Sequence, residues 1–501
     1  MIRLLLLFSI CILQKMTAQD FTFVNRKFDA SPNGSRGVSI ADIDGNGWLD
    51  IVVSNQVDSV KLSGNSIFLN EKGHFYHKAI AANRLEAWSE SAHTVDIDND
   101  HDLDLFFTTQ FNVPNLLYRN DGSGNFTPMD AGELTSDPTN SPGACWCDYD
   151  LDGDLDVFVV NRDGADDHLY ENNGAGKFMH IKKGPWIGNE GDGRSCAWGD
   201  INGDGRMDLY VANFVVKQGG KVIGKHRNYL YLGLENGAFM EQTEGIAVEE
   251  KNASYGVTLI DLDYDKDLDI YVTNVSSRDD NALYENSGGG DLQKLREHTV
   301  AYATNRPSKG QTWGDFSNNG QLDLYIANGT EGYPEIQNYF FSTNKDASNA
   351  RIYHALPTID PHISAGTASG DLDNDGDLDL YVCNWGNDSE PNDCYINQTN
   401  SNQWIKFQLR GLESNSYGIG SWAFLTLDDG SIETRYFTRE TGYGSENAPE
   451  IHFGIATPRK PVAIEIIWPS GLRQSSTSLS ANTTYQVVEG EKFEPLERHE
   501  K

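Results

Sequence analysis

The sequence predicts an all-β protein, a seven-bladed β-propeller followed by a small C-terminal β-sandwich or barrel. Three observations predict it. An acidic nonapeptide, D-I-D-G-N-G-W-L-D from Asp42, recurs from Asp96, Asp148, Asp200, Asp261, Asp315 and Asp371, at spacings of 52 to 61 residues. Each copy runs into a short alternating strand rich in β-branched and aromatic residues. Beyond residue 400 the alternating strands continue without the nonapeptide. A period of this size signals one supersecondary unit repeated in a stack or a ring.

At the N-terminus, Arg3 precedes the apolar run Leu4–Leu13, and Ala18 offers a small residue for cleavage before Gln19. Residues 1–18 therefore read as an export signal, and the mature protein is expected to be secreted, periplasmic or held at the cell surface. The apolar run is too short to anchor stably in a bilayer, and no later segment has the length to span one. A net charge of −35 argues against nucleic acid or an anionic membrane as partner. Removing the signal leaves Cys145, Cys147, Cys196, Cys383 and Cys394, whose spacing matches no zinc ligand set. A strand-bridging disulfide between Cys383 and Cys394 fits an oxidising compartment, and Cys145, Cys147 and Cys196 read equally as buried thiols.

Residues 19–400 are assigned to the propeller. After each acidic loop comes a strand ending in a polar residue: Ile51–Asn55, Leu105–Thr109, Val157–Asn161, Leu209–Asn213, Ile270–Asn274, Leu324–Asn328 and Leu380–Asn384. A second signature with an aromatic centre follows, such as N-S-I-F-L-N from Asn65 or N-A-L-Y-E-N from Asn281, then a Gly turn and a strand carrying Phe75, Phe126, Phe178 or Phe239. A tight small-residue strand such as G-A-C-W-C precedes each loop. Four short strands make one blade. The last repeat lacks its fourth strand and Phe21–Val24 has no partner, so the N-terminal strand is expected to complete blade seven and close the ring.

The loops carry metal-ligand chemistry. Positions 1, 3, 5 and 9 offer side-chain oxygens and position 7 a backbone carbonyl. In chain order these are Asp42, Asp44, Asn46, Trp48 and Asp50; Asp96, Asp98, Asp100, Asp102 and Asp104; Asp148, Asp150, Asp152, Asp154 and Asp156; Asp200, Asn202, Asp204, Arg206 and Asp208; Asp261, Asp263, Asp265, Asp267 and Asp269; Asp315, Ser317, Asn319, Gln321 and Asp323; and Asp371, Asp373, Asp375, Asp377 and Asp379. Hard oxygen donors with several carboxylates suit Ca²⁺ over zinc or copper, up to seven structural ions in all. An EF-hand would need a Glu at position 12, where Val53, Val159, Val211 and Val382 stand instead. Loops three and seven, with four acids and a position-6 glycine, are expected to bind best, and loop six, with two acids, least. His101 and Lys266 occupy the position where glycine is preferred.

The loops and the L-D-L-Y-V-A-N-like strands after them resemble the FG-GAP/VCBS repeats of integrin-α-like propellers. In the region 401–490, G-I-G-S-W-A-F-L-T-L-D-D-G from Gly418, E-T-G-Y-G-S-E from Glu440, H-F-G-I from His452 and W-P-S-G from Trp468 look like the ASPIC and UnbV domain. The combination resembles the cartilage acidic protein 1 family, which implies extracellular calcium binding and adhesion or protein interaction without an established reaction. The chain departs from that pattern at Ser445-Glu446, where the family usually has serine-glutamine. His452 reads as a structural histidine, and residues 491–501 as a charged tail.

Residues six before each loop are aligned, and five of them are Arg36, Glu90, Arg194, Tyr255 and Lys309. Two readings compete: a ring at the channel mouth suited to an acidic sugar or carboxylate, and solvated loop charges. The functional expectation is a calcium-binding module that recognises an extracellular protein or glycan, with no catalytic motif. The alternative is a polysaccharide-lyase-like enzyme, whose base would be Tyr255 near Arg194 or Lys309, or His93.

Overall fold

The computed structural model describes residues 15–17, 22–25, 34–56, 64–78, 87–218, 221–276, 279–302, 306–329, 336–345, 351–357, 362–386, 391–398 and 402–496. The apolar run Leu4–Leu13 lies outside them.

Each acidic loop joins two antiparallel strands. The strand before it is the innermost of its blade, Ser35–Ala41, Ser89–Val95, Gly143–Cys147, Gly193–Gly199, Ser254–Ile260, Ser308–Gly314 or Ser364–Gly370. The strand after it begins at the position-9 aspartate, as in Asp50–Asn55 and Asp379–Asn384. Seven such sheets follow one another, and neighbouring inner strands pack side by side until the seventh meets the first. Closure comes from the N-terminus. Thr22–Asn25 pairs antiparallel with Asp393–Asn397 as the outer strand of blade seven, and Lys15–Thr17 adds a short strand outside it. Phe23, fully buried, packs edge-on against Phe316, Phe340 and Tyr395.

Asparagines hold the blades in register. At the end of the third strand, Asn70, Asn120, Asn172, Asn286 and Asn397 each donate an amide to the position-2 carbonyl of the preceding blade's loop, at 2.7 to 2.9 Å. Their backbone N–H groups donate to the position-9 carboxylates Asp50, Asp104, Asp156, Asp269 and Asp379. Buried backbone polar groups must be paired, and this residue pairs those that a blade boundary would strand. The disulfide is Cys145–Cys196, between the inner strands of blades three and four. Cys383 and Cys394, the pair read from the sequence as a bridge, are both buried in the hydrophobic cluster between blades one and seven. The expected thiols Cys145 and Cys196 are bonded because their strands are neighbours across a blade boundary, a proximity that sequence spacing does not reveal.

The C-terminal region is a sandwich of two four-stranded sheets. One holds Gln403–Arg410, Ile451–Ile455, Thr483–Val488 and Phe493–Pro495, and the other Trp422–Leu427, Ile432–Tyr436, Pro461–Ile467 and Arg473–Ser476. The sheet therefore runs to Pro495, into the stretch read as a tail. Buried Phe407, Leu425, Ile464, Ile466 and Val487 belong to one hydrophobic cluster with Phe106, Trp146 and Val157 of the propeller. Among the described residues, no helix is long and apolar enough to cross a membrane.

Candidate functional site

The sandwich sits on the face of the ring that carries the acidic loops. Thr434 Oγ1 donates to Asp261 Oδ2 of loop five. Gly454 N–H donates to Asp315 Oδ2 of loop six at 3.0 Å, with the Arg435 guanidinium 3.7 Å from the same oxygen. Lys406 Nζ lies 2.9 Å from Asp371 of loop seven and 3.1 Å from Glu450. His452 is buried and bonded to the Gly376 carbonyl at 3.1 Å, and burial lowers its pKa to about 3, as a structural histidine requires. Loop six, poorest in acids, thus has its first carboxylate held by protein donors. Loop seven, ranked among the best from its four acids, has one of them paired to a buried ammonium.

The loops share one backbone. The position-1 carboxylate accepts from the N–H groups of positions 5 and 6, as Asp42 does from Asn46 and Gly47. Positions 4 and 6 are left-handed in all seven copies, including Leu151 (φ 61°), Tyr264 (69°), His101 (70°) and Lys266 (82°). This turn aims successive oxygens at one point. In loops one, two, three and five, one oxygen from each of three carboxylates lies within 4.8 Å of the others: Asp42, Asp44 and Asp50; Asp96, Asp98 and Asp100; Asp148, Asp150 and Asp156; and Asp261, Asp263 and Asp265. Burial, followed by neighbouring carboxylates among the further causes, pushes Asp50 and Asp104 up to about 8 and Asp156 to about 9. Asp96 Oδ1, Asp98 Oδ1 and Asp156 Oδ2 are buried with no hydrogen-bond partner. Converging, partly orphaned carboxylate oxygens fit a hard divalent cation. In loop two, Arg119 lies 2.7 Å from Asp98 and 3.0 Å from Asp100. Arg206 of loop four likewise pairs with Asp204.

One segment of the sandwich leaves it and enters the central channel. Glu440–Thr441 and Ser445–Glu446 form a hairpin whose tip is Gly442-Tyr443-Gly444. All seven blades bond to this segment. Blade one gives Val38 N–H to Ser445 Oγ (3.1 Å), and blade two gives Thr94 N–H to Glu446 (3.0 Å). Blade three gives Trp146 N–H to Glu440 (2.8 Å), and blade four gives Ser195 Oγ–H to the Gly442 carbonyl (2.6 Å). Thr258 and Gln311 of blades five and six accept from Gly442 N–H and Thr441 Oγ1. Ser369 of blade seven accepts from Ala448 N–H at 2.9 Å. Gly37 allows this approach, because a Cβ there would sit 2.0 Å from the Gly444 carbonyl oxygen. His93 is consumed by the same contact. It is buried, with Nδ1 2.7 Å from Glu446 Oε1 and Nε2 2.9 Å from Ser91 Oγ, so it is no candidate base. Glu446 also pairs with Arg439 at 3.4 Å. Burial alone would raise its carboxyl, but Arg439 and His93 hold it below the usual range. That explains glutamate after Ser445, since a neutral amide there would leave Arg439 without its counter-charge.

Tyr443, at the hairpin tip, reaches the mouth opposite the sandwich, where the aligned ring residues converge. Its hydroxyl donates to Glu90 Oε2 and its ring lies 4.6 Å from that of Tyr255. Arg36 lies 3.9 Å from Glu90 and 4.0 Å from the centre of the Trp385 ring, over which Lys309 also sits at 3.5 Å. Arg194 lies over Phe214 at 4.7 Å and Tyr255 at 5.4 Å. Arg36, Glu90, Arg194, Tyr255 and Lys309 are all buried, so the solvated-charge reading fails. Irregular pairing at the starts of these inner strands, between Ser35 and Val38 and between Ser308 and Gln311 for example, brackets the ring positions. Burial, then Arg36, Arg194 and Arg162, lowers the Lys309 pKa well below the usual amine range. Sequence alignment of the repeats missed Arg162, Trp88, Phe214 and Trp385, which come from other strands and loops. It also missed Tyr443, which comes from the other domain.

An FG-GAP-like repeat model matches residues 96–159, 148–211 and 261–326, and the ASPIC and UnbV model matches 411–493. The mouse protein named cartilage acidic protein 1 is 21% identical, over 79% of this chain and 72% of its own length. The chain resembles cartilage acidic protein 1. The human protein of that name is 20% identical over 79% and 70%, and the Xenopus tropicalis one 21% over 75% and 69%. Among solved structures, an Agrocybe aegerita lectin described for recognition of non-reducing terminal N-acetylglucosamine aligns with a TM-score of 0.45. It is 17% identical and covers 68% of this chain and 88% of its own. The Dos1 propeller aligns with a TM-score of 0.44 at 9% identity, over 74% and 94%.

Replacing Glu446 with alanine is expected to destabilise the protein by about 3–5 kcal/mol, because His93 and Arg439 lose a buried partner. Urea denaturation measures this, and Glu446→Gln should cost less than Glu446→Ala because it keeps the acceptor for Thr94 N–H.

Proposed function

We propose that the protein is a secreted, calcium-stabilised binding module, and that its ligand is an anionic group docking at the channel mouth opposite the sandwich. One observation carries this reading. Arg36, Glu90, Arg162 and Arg194 surround Lys309; Arg194 Nη2 pairs with Asp192 at 2.9 Å, while Arg162 Nε with Arg194 Nε and Nη1 are buried without a hydrogen-bond partner. A buried charged donor left unpaired costs about 1–3 kcal/mol or more, and a carboxylate or sulfate would satisfy it in bidentate geometry. The aromatic rings of Trp88, Phe214, Tyr255 and Trp385 supply flat apolar surface beside the cations, the mixture that suits an acidic sugar or a protein carboxylate. The Cys145–Cys196 disulfide supports an oxidising compartment.

Calcium belongs to the same proposal. Asp42, Asp44 and Asp50, with their counterparts in loops two, three and five, would hold it, and the ion would supply the positive charge that their crowded oxygens lack. A second reading, an eliminative lyase acting on acidic polysaccharide, draws on Tyr255 lying 5.4 Å from Arg194 and 5.6 Å from Lys309. There the cations would neutralise a uronate and Tyr255 would take the proton.

Chelation is expected to lower the melting temperature, and the effect should depend on pH. The position-9 carboxylates have folded pKa values raised to about 7 for Asp208 and Asp269, about 8 for Asp50 and Asp104, and about 9 for Asp156. Stabilisation by their protonation is complete below the unfolded value and is lost as pH rises through this range. The chelated protein should therefore melt higher at pH 5.5 than at pH 8.5, and added calcium should remove or reverse that difference. Scanning calorimetry checks both; an unchanged melt in excess chelator contradicts the calcium assignment.

An array of acidic and neutral oligosaccharides, with calcium present, tests the ligand. Binding should be confined to acidic members and should weaken about 10- to 100-fold in Arg194→Ala, the cost of one charge-assisted contact. Product release from an acidic polysaccharide, lost in Tyr255→Phe, would favour the lyase.

A further inference from the structure

The acidic loops are not the only group of metal-ligating side chains. On blade three, His168–Asn172 and Phe178–Ile181 pair antiparallel with Tyr170 opposite His180. Strand alternation therefore puts His168, Tyr170 and His180 on one face. Over that face lies Asp137, from the segment between the short helix Glu133–Thr135 and the strand Pro138–Thr139. His180 Nδ1 is 3.3 Å from Asp137 Oδ2, and the Tyr170 hydroxyl is 2.9 Å from His168 Nδ1 and 3.4 Å from the same Asp137 oxygen. The two imidazole rings are 4.1 Å apart between centres. Asp137, His168 and His180 are part-exposed, so the group is open to solvent.

We propose that Asp137, His168 and His180 bind a divalent transition-metal ion of the zinc class. One ligand atom from each residue lies within 4.8 Å of the others, a spread that a single ion spans. Two imidazoles and one carboxylate are a borderline-soft donor set, which selects Zn²⁺, Co²⁺ or Ni²⁺ and disfavours the Ca²⁺ suited to the all-oxygen loops. His180 Nε2 is buried with no hydrogen-bond partner, which a purely structural hydrogen-bonded cluster would not leave. Three protein ligands leave a fourth tetrahedral position, which Tyr170 or a water would fill. The His180 backbone is itself fixed, its N–H donating to Glu133 Oε2 at 2.8 Å while Lys182 pairs with the other carboxylate oxygen at 2.7 Å. The site thus joins the outer strands of blade three to the connection arriving from blade two.

The test uses the tag-free full chain in excess calcium, so that the acidic loops do not compete, titrated with Co²⁺ and followed by visible absorption, then with Zn²⁺ by calorimetry. One equivalent is expected to bind, giving the intense visible bands of tetrahedral cobalt, bleached by zinc. His168→Ala and Asp137→Asn should each weaken binding by at least about 100-fold, since even outer-shell partners of metal ligands are worth roughly 10- to 100-fold. Asp137→Asn keeps size and hydrogen bonding, so it separates loss of the ligand from loss of the fold, which circular dichroism monitors. Absence of stoichiometric cobalt binding by the native chain, or wild-type affinity in a folded Asp137→Asn, overturns the proposal.

Discussion

The hydrogen bonds between the seven inner strands and the single segment Arg439–Ala448 are the contact on which the rest of the structure depends. A propeller's inner strands present backbone and small side chains to a channel, and those polar groups need partners. Here the partners come from one hairpin of another domain. Its residues are matched to their surroundings: Gly442 and Gly444 give a tight turn, Gly37 gives the space, and Glu446 answers Arg439, His93 and two donors of blades one and two. The sandwich is therefore part of the propeller's interior as well as a neighbour on its surface. Its positions on the acidic loops follow from the same docking, since a hairpin that enters from that face brings Lys406, Thr434 and Arg435 down onto loops seven, five and six.

The two ends of the channel consequently have opposite character. At the loop face, carboxylates are crowded and cations would relieve them. At the opposite mouth, Arg36, Arg162 and Arg194 crowd Lys309 with Glu90 and Asp192 as the neighbouring carboxylates, and an anion would relieve them. Both are instances of buried charge left under-compensated. Tyr443 links them, since it stands on the hairpin that the loop-face domain inserts and bonds to Glu90 at the far mouth.

The ring architecture was legible because its determinants are local and repeated. The nonapeptide marks each blade's first turn, and the missing outer strand of the last repeat pointed to Phe21–Val24, where Thr22–Asn25 supplies it. The strain expected at His101 and Lys266 appears as left-handed backbone, although Leu151 and Tyr264 at position 4 carry the same conformation unnoticed. What the sequence could not convey was contact across long separations. The Cys145–Cys196 bond, the burial of His93 under Glu446 and the arrival of Tyr443 among the ring residues each join segments whose proximity only the closed fold creates. The Asn near the end of five of the third strands was visible in the repeat, but its reach to the preceding blade was not. A signal for the plug existed in E-T-G-Y-G-S-E, where two glycines flank an aromatic residue as a hairpin tip requires.

Calorimetric unfolding of the full chain in calcium tests the central claim, that hairpin and ring form one core. A single transition is predicted, with equal calorimetric and van't Hoff enthalpies, together with a propeller that no longer melts cooperatively at that temperature when residues 402–501 are removed. Two separable transitions in the full chain, one of them matching an independently stable truncated propeller, would contradict it.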